Sequence, residues 1–153
     1  MTKITLKAIT SDNWRECVKL EVTDEQKNWV APNVRSLAES AFEPDSRLVP
    51  LSIYNDDIMV GFVMYGHPPY EGHRVWAIFR LMVNKDHQGK GYGRAAMKAV
   101  IQHISAEPGC DNIYISYEPE NKVAAKLYAD LGFLDTGQML EGEVLVRLPV
   151  EKD

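Results

Sequence analysis

Polar and apolar residues alternate where the chain begins: Ile4, Leu6 and Ala8 are separated by Thr5 and Lys7, the two-residue period of a strand with one buried face. Thr10, Ser11 and Asp12 then offer caps for a helix that carries Trp14, Val18 and Leu20. The following stretch, "EVTDEQKNWVAPNVRSLAESAFEPDSR", reads as helical, broken at Pro32 and restarted behind Asn33. "RLVPLSIYNDDIMVGFVMYG" predicts two strands around a turn at Asn55–Asp57, "HPPYEGH" a second turn, and "RVWAIFRLMV" (74–83) a long apolar and aromatic strand. A helix after Gly91 puts Met97, Val100, Ile101 and Ile104 on one side, the spacing of a buried face. "EPGCD" ends it and "NIYISY" (112–117) makes a short strand. A second helix starts at Asn121, carries Ala124, Leu127, Tyr128 and Leu131, and stops at Gly132; two closing strands near 134–140 and 143–150 flank Glu141–Gly142. This order predicts a mixed α/β fold, a single domain over 1–153, with no linker, repeat or low-complexity segment.

Composition narrows the function more than the fold. With 153 residues, 45% hydrophobic and 25% charged, the chain suits one globular core. No run approaches the ~20 apolar residues of a membrane span, and the alternating start does not resemble a signal peptide. Cys17 and Cys110 form neither a disulfide framework nor a metal-ligand spacing, so the expectation is two reduced thiols, a cytoplasmic location and no metal. A net charge of −5 argues against a nucleic-acid partner and mildly favours a cationic small molecule.

The candidate chemistry begins at "HQGKGYGR" (87–94), where Gly89, Gly91 and Gly93 run straight into a helix. Glycine costs conformational entropy there, which points to a ligand approaching the backbone closely. Unpaired N–H groups and a partial positive charge make a helix start attractive to phosphate, and Lys90 and Arg94 add positive charge. A Walker loop would end in Gly-Lys-Ser/Thr, which is missing. A dinucleotide fingerprint would need glycine where Arg94 stands, and the loop follows four strands rather than opening the fold.

Gln88-Gly89-Lys90-Gly91-Tyr92-Gly93 resembles the Gln/Arg-x-x-Gly-x-Gly/Ala motif of the GNAT superfamily of acetyl-coenzyme A-dependent N-acetyltransferases. "NKVAAKLYADLGF" (121–133) is similar to the same superfamily's second motif, Asn-x-x-Ala-x-x-Leu-Tyr-x-x-x-Gly-Phe, at every fixed position. "LEVTDEQKNWVAPN" (20–33) and "FRLMVNKDHQGKGYGRAAM" (79–97) further resemble bacterial spermine/spermidine acetyltransferases. The resemblance implies a central, mostly antiparallel, splayed sheet flanked by helices, with acetyl-coenzyme A as cosubstrate. It also implies a small cationic amine such as a polyamine as acceptor, and a homodimer as the family's expectation. An aminoglycoside, an amino acid or a protein N-terminus are other acceptors, and a noncatalytic acyl-coenzyme A sensor is the rival outside enzymes.

By the same resemblance, backbone groups of Leu81, Met82 and Val83 hold the pantetheine arm and amides from Gln88 to Arg94 bind the pyrophosphate. Asn121 reads as a helix N-cap on its own, and the resemblance adds a pantetheine contact. Tyr128 reads as a core tyrosine from its helical face; matched to the second motif, its hydroxyl protonates the departing thiolate. Some family members carry a basic glutamate on the strand where this chain has Phe79 and Arg80, so a water chain to Glu118 or Glu21 is the substitute. Glu21, Glu118 and Trp29 are the residues expected to hold the amine.

Overall fold

The computed structural model describes residues 3–151. The chain opens with strand β1 (Ile4–Ala8) and short helix α1 (Trp14–Lys19), and helix α2 (Asn33–Phe42) restarts behind Pro32 as the proline predicts. Strands β2 (Val49–Asn55) and β3 (Ile58–Gly66) form the hairpin around Asn55–Asp57. The second turn is itself a small ladder, β4 (Pro69–Tyr70) against β5 (His73–Arg74), which shortens the next strand to β6 (Trp76–Val83). Helix α3 (Tyr92–Ser105), strand β7 (Asn112–Tyr117), helix α4 (Lys122–Asp130) and the hairpin β8 (Leu134–Leu140) and β9 (Glu143–Pro149) complete the domain. Asn13, rather than Thr10, Ser11 or Asp12, takes the N-cap position of α1. Its side chain accepts from the Thr10 amide at 2.8 Å and donates to the Ala8 carbonyl at 3.0 Å, which closes the turn before the helix.

Seven strands form one sheet in the order β1-β2-β3-β6-β7-β9-β8, antiparallel throughout except for β6 beside β7. A parallel neighbour needs a crossover, and α3 supplies it. Alternation, shifted by one residue at the β2–β3 bulge where Ile53 faces Gly61 and Tyr54 faces Met59, sorts the strand residues between two cores. Val60, Val63 and Tyr65 of β3 join Met97, Val100 and Ile104 of α3 on one face. Met59, Phe62 and Met64 join Cys17 and Met82 on the other, under the first two helices. No described helix is long and apolar enough to cross a membrane.

The sheet is split in its middle. Only Trp76↔Ile113 and Ala77↔Tyr114 pair between β6 and β7. Against β3, Ile78 faces Tyr65 and Arg80 faces Met64, so Phe79 is an extra residue without an opposite number. Such a bulge bends its strand, and here it follows directly on the last β6–β7 pair. Beyond it β6 keeps β3 on one side and has an open edge on the other, where alternate N–H and C=O groups face the gap.

Candidate functional site

The gap between β6 and β7 is a cleft of about 680 Å³. Its walls are Phe79–Leu81 of β6, Tyr114–Tyr117 of β7 with Glu118 behind it, and Asn121 and Tyr128 of the α4 region. Residues Lys27–Pro32 close one side, and Leu140, Glu141, Glu143 and Leu145 close the other. Helix α3 follows β6 through the glycine loop and α4 follows β7; the start of α4 lines the cleft through Asn121, whereas none of Gln88–Arg94 is in the lining.

In the glycine loop, Gly89 and Gly91 have φ of +78° and +85°. This left-handed region, which side chains with a Cβ avoid, explains those two glycines without any ligand. A Cβ built on either would meet nothing within 4 Å, whereas one on Gly93, whose φ is ordinary, would meet only Val83 Cγ2 at 3.8 Å. The loop is therefore held open rather than filled. The backbone N–H groups of Gln88 through Arg94 donate to no acceptor among the described residues. Consecutive free amides curved by left-handed residues and leading into a helix form an anion-binding concavity.

The side chains of this loop brace it. Gln88 and Gln26 exchange amide hydrogen bonds of 2.8 and 3.2 Å, and Gln88 Nε2 also donates to the Val83 carbonyl at 2.9 Å. The Tyr92 hydroxyl accepts from Asn55 at 2.9 Å, and Arg94 pairs with Asp130 of α4 at 3.1 Å. Lys90 is exposed and enters no ion pair among the described residues. Of Leu81, Met82 and Val83, only Leu81 lines the cleft; Met82 turns its side chain into the core beneath α1.

Tyr128 lies deep in the cleft wall, 7% exposed, its ring 5.9 Å from Tyr117 and 5.8 Å from Phe133. Its hydroxyl bonds to no described residue, and burial, with a lesser push from the charge of Glu143, raises its pKa above the ordinary phenol value. Asn121 caps α4, its side chain accepting from the Ala124 amide at 3.2 Å. Trp29 and Glu118 line the cleft as well. Glu21 does not. It borders a smaller cavity of about 350 Å³, 2.6 Å from Lys85 and 3.7 Å from Lys27, and these lysines lower its pKa, Lys85 first.

The charges around the cleft are unevenly matched. Each cation in its lining has a carboxylate partner: Lys27 has Asp24 at 3.0 Å, Arg80 has Glu39 at 2.9 Å, and Arg35 approaches Glu39 at 3.9 Å. Its three carboxylates, Glu118, Glu141 and Glu143, form no ion pair among the described residues. Glu143 is the residue that sequence reasoning missed. It carries no motif signal, because only the β7–β9 pairing carries it to the cleft. Arg80, which with Phe79 stands where the resemblance leads one to expect a glutamate base, donates to the Phe79 carbonyl and to Glu39.

A model of the acetyltransferase (GNAT) family matches residues 13–133. Spermine/spermidine N(1)-acetyltransferase of Bacillus subtilis (strain 168) is 33% identical over 141 residues, covering 89% of this chain and 91% of that protein. Among solved structures, spermidine N-acetyltransferase from Vibrio cholerae in complex with CoA and spermine superposes with a TM-score of 0.72 at 18% identity, over 94% of this chain and 92% of that one. An aminoglycoside acetyltransferase in complex with coenzyme A superposes with a TM-score of 0.77 at 16% identity, over 96% and 95%.

Proposed function

Because the chain belongs to the GNAT acetyltransferase family and uses acetyl-coenzyme A, we propose that its acceptor is a polyamine such as spermine or spermidine. The observation that carries the reading is the mismatch of charge: the cleft's cations already have carboxylate partners, Lys27 with Asp24 and both Arg35 and Arg80 with Glu39, while Glu118, Glu141 and Glu143 enter no ion pair among the described residues and are left for a cationic guest. One end of a polyamine reacts while a distal ammonium rests on a carboxylate, and Trp29 offers a face to the methylenes or to an ammonium. Glu21 joins this set only by leaving Lys85 and Lys27.

The open amides of Gln88–Arg94 suit the cofactor's pyrophosphate, and the unpaired edge of β6 through Leu81–Val83 suits the amides of its pantetheine arm. When bound, acetyl-coenzyme A supplies an acyl group activated as a thioester. The Tyr128 hydroxyl, buried, with its pKa raised and with no partner among the described residues, would donate a proton to the departing sulfur. A backbone N–H on the open edge of β6 would stabilise the developing oxyanion.

The test is release of coenzyme A thiol with spermine, spermidine, hexylamine and kanamycin as acceptors. The reading expects kcat/KM for spermine about tenfold or more above hexylamine, a difference of about 1.4 kcal/mol. Equal values for the two would remove the polyamine assignment and leave acetyl transfer standing. The same unpaired carboxylates suit an aminoglycoside, a bulkier polycation, which is the second reading; a dominant kanamycin rate would select it.

A further inference from the structure

An alkyl ammonium, with a pKa of roughly 10, is not a nucleophile until it has lost a proton. The cleft contains one carboxylate arranged to take it. Glu143, the first residue of β9, is half-buried, and its Oε1 accepts from the Ser116 hydroxyl of β7 at 2.8 Å. Ser116 fixes the carboxylate with a neutral donor, and no cation competes for it among the described residues. The other titratable groups of the cleft lining are Tyr70, Tyr114, Tyr117 and Glu118, Tyr128 of α4, Glu141 of the preceding turn, and the cations Lys27, Arg35 and Arg80, which are ion-paired to Asp24 or Glu39 rather than to Glu143. The other carboxylates fit less well. Glu39 is committed to Arg80, Glu141 is exposed in its turn, and no described side chain braces Glu118.

We propose that Glu143, braced by Ser116, receives the proton from the attacking ammonium and works as a pair with Tyr128 across the cleft. This rests on amine acetylation in the cleft, as argued above. Loss of one proton to Glu143 frees the nitrogen lone pair, which forms the bond to the thioester carbonyl carbon. The carbon–sulfur bond breaks with its electron pair on sulfur, and Tyr128 gives sulfur a proton. The second proton on nitrogen restores the Tyr128 hydroxyl, and Glu143 passes the first to water. One proton is released overall. Burial is the main reason the tyrosine hydroxyl stays protonated; the charge of Glu143 adds a lesser push, and only that smaller part goes once Glu143 has taken the amine's proton.

The experiment measures kcat/KM for spermine and hexylamine between pH 6.5 and 9.5, by thiol release, in wild type and in Glu143→Gln, Glu143→Asp and Ser116→Ala. Calorimetry with acetyl-coenzyme A accompanies it. Glu143→Gln should lower kcat/KM by roughly 10²–10⁴-fold near neutral pH, with cofactor affinity unchanged. The deficit should shrink as pH approaches the amine's pKa of roughly 10, because the substrate then arrives already neutral. Glu143→Asp should recover part of the rate, and Ser116→Ala should show a smaller loss with the same pH trend. A wild-type rate in Glu143→Gln, or a deficit constant across the pH range, overturns the proposal. If Glu143→Gln did not fold, Ser116→Ala would decide by the same two criteria. A wild-type enzyme that acetylates neither amine would instead overturn the reading on which the proposal rests.

Discussion

Replacing Tyr128 by phenylalanine removes a single oxygen, and the structure says what that oxygen does for the fold. It bonds to no described residue, while the ring keeps its contacts with Tyr117 and Phe133. No partner is orphaned by Tyr128→Phe, so stability should change by no more than about 1 kcal/mol. Catalysis is a different matter. A positioned acid contributes roughly 10²–10⁴-fold, and water in an open cleft can recover part of the loss. Turnover should therefore fall roughly 10–10³-fold, about 1.4–4 kcal/mol in the barrier. The assay is rapid-mixing thiol release at saturating substrates, with thermal melting and calorimetry on the same samples. Unchanged turnover under conditions where chemistry limits the rate would return Tyr128 to the core. So would a large fall in melting temperature that explained the lost activity.

The glycine loop separates backbone strain from ligand contact. Gly91→Ala must hold φ of +85° and should cost about 1–2 kcal/mol of stability, whereas Gly93→Ala meets only Val83 at 3.8 Å and should melt like wild type. If the diphosphate closes on this backbone, calorimetry should nevertheless show weaker acetyl-coenzyme A binding by Gly93→Ala, by about tenfold. Asn121→Ala should lower stability by about 0.5–2 kcal/mol through loss of the α4 cap, read by chemical denaturation, and Asn121→Asp should recover most of it. Burial pushes the Cys17 thiol up to about 11, so at pH 8 only about one molecule in 10³ carries the thiolate. Alkylation followed by mass spectrometry should find Cys17 unmodified in the folded protein and modified after unfolding.

Elements whose signal is local were legible in the sequence. The proline at position 32 stops one helical segment and precedes another, Gly91 precedes α3, and Asn121 caps α4, each through the geometry of a few neighbouring residues. The split sheet was legible only through the family resemblance, because its cause lies in pairing. The bulge at Phe79 is defined by β3, and "RVWAIFRLMV" contains no residue that announces it. Trp14 shows the same limit: its spacing places it on the helix, yet it is 39% exposed beside the Arg15 guanidinium. The sequence reads the glycines as room for a ligand, while Gly89 and Gly91 already need their left-handed φ.

Charged residues were the least legible, since their meaning depends on partners distant in sequence. Glu21 attracts notice beside Trp29 in the resembling segment, but Lys85 holds it. Glu143 attracts none, standing just after a turn glycine, until β9 lies against β7 and Ser116 reaches it.

The central claim is that the unpaired carboxylates of the cleft select a polycationic amine for acetylation. It is tested most directly by offering equal concentrations of spermine and hexylamine to the enzyme with limiting acetyl-coenzyme A and quantifying both products by mass spectrometry. The account predicts acetylspermine in at least about tenfold excess, with the excess narrowing as added salt screens the distal ammonium. Equal amounts of the two products, unaffected by salt, would contradict it.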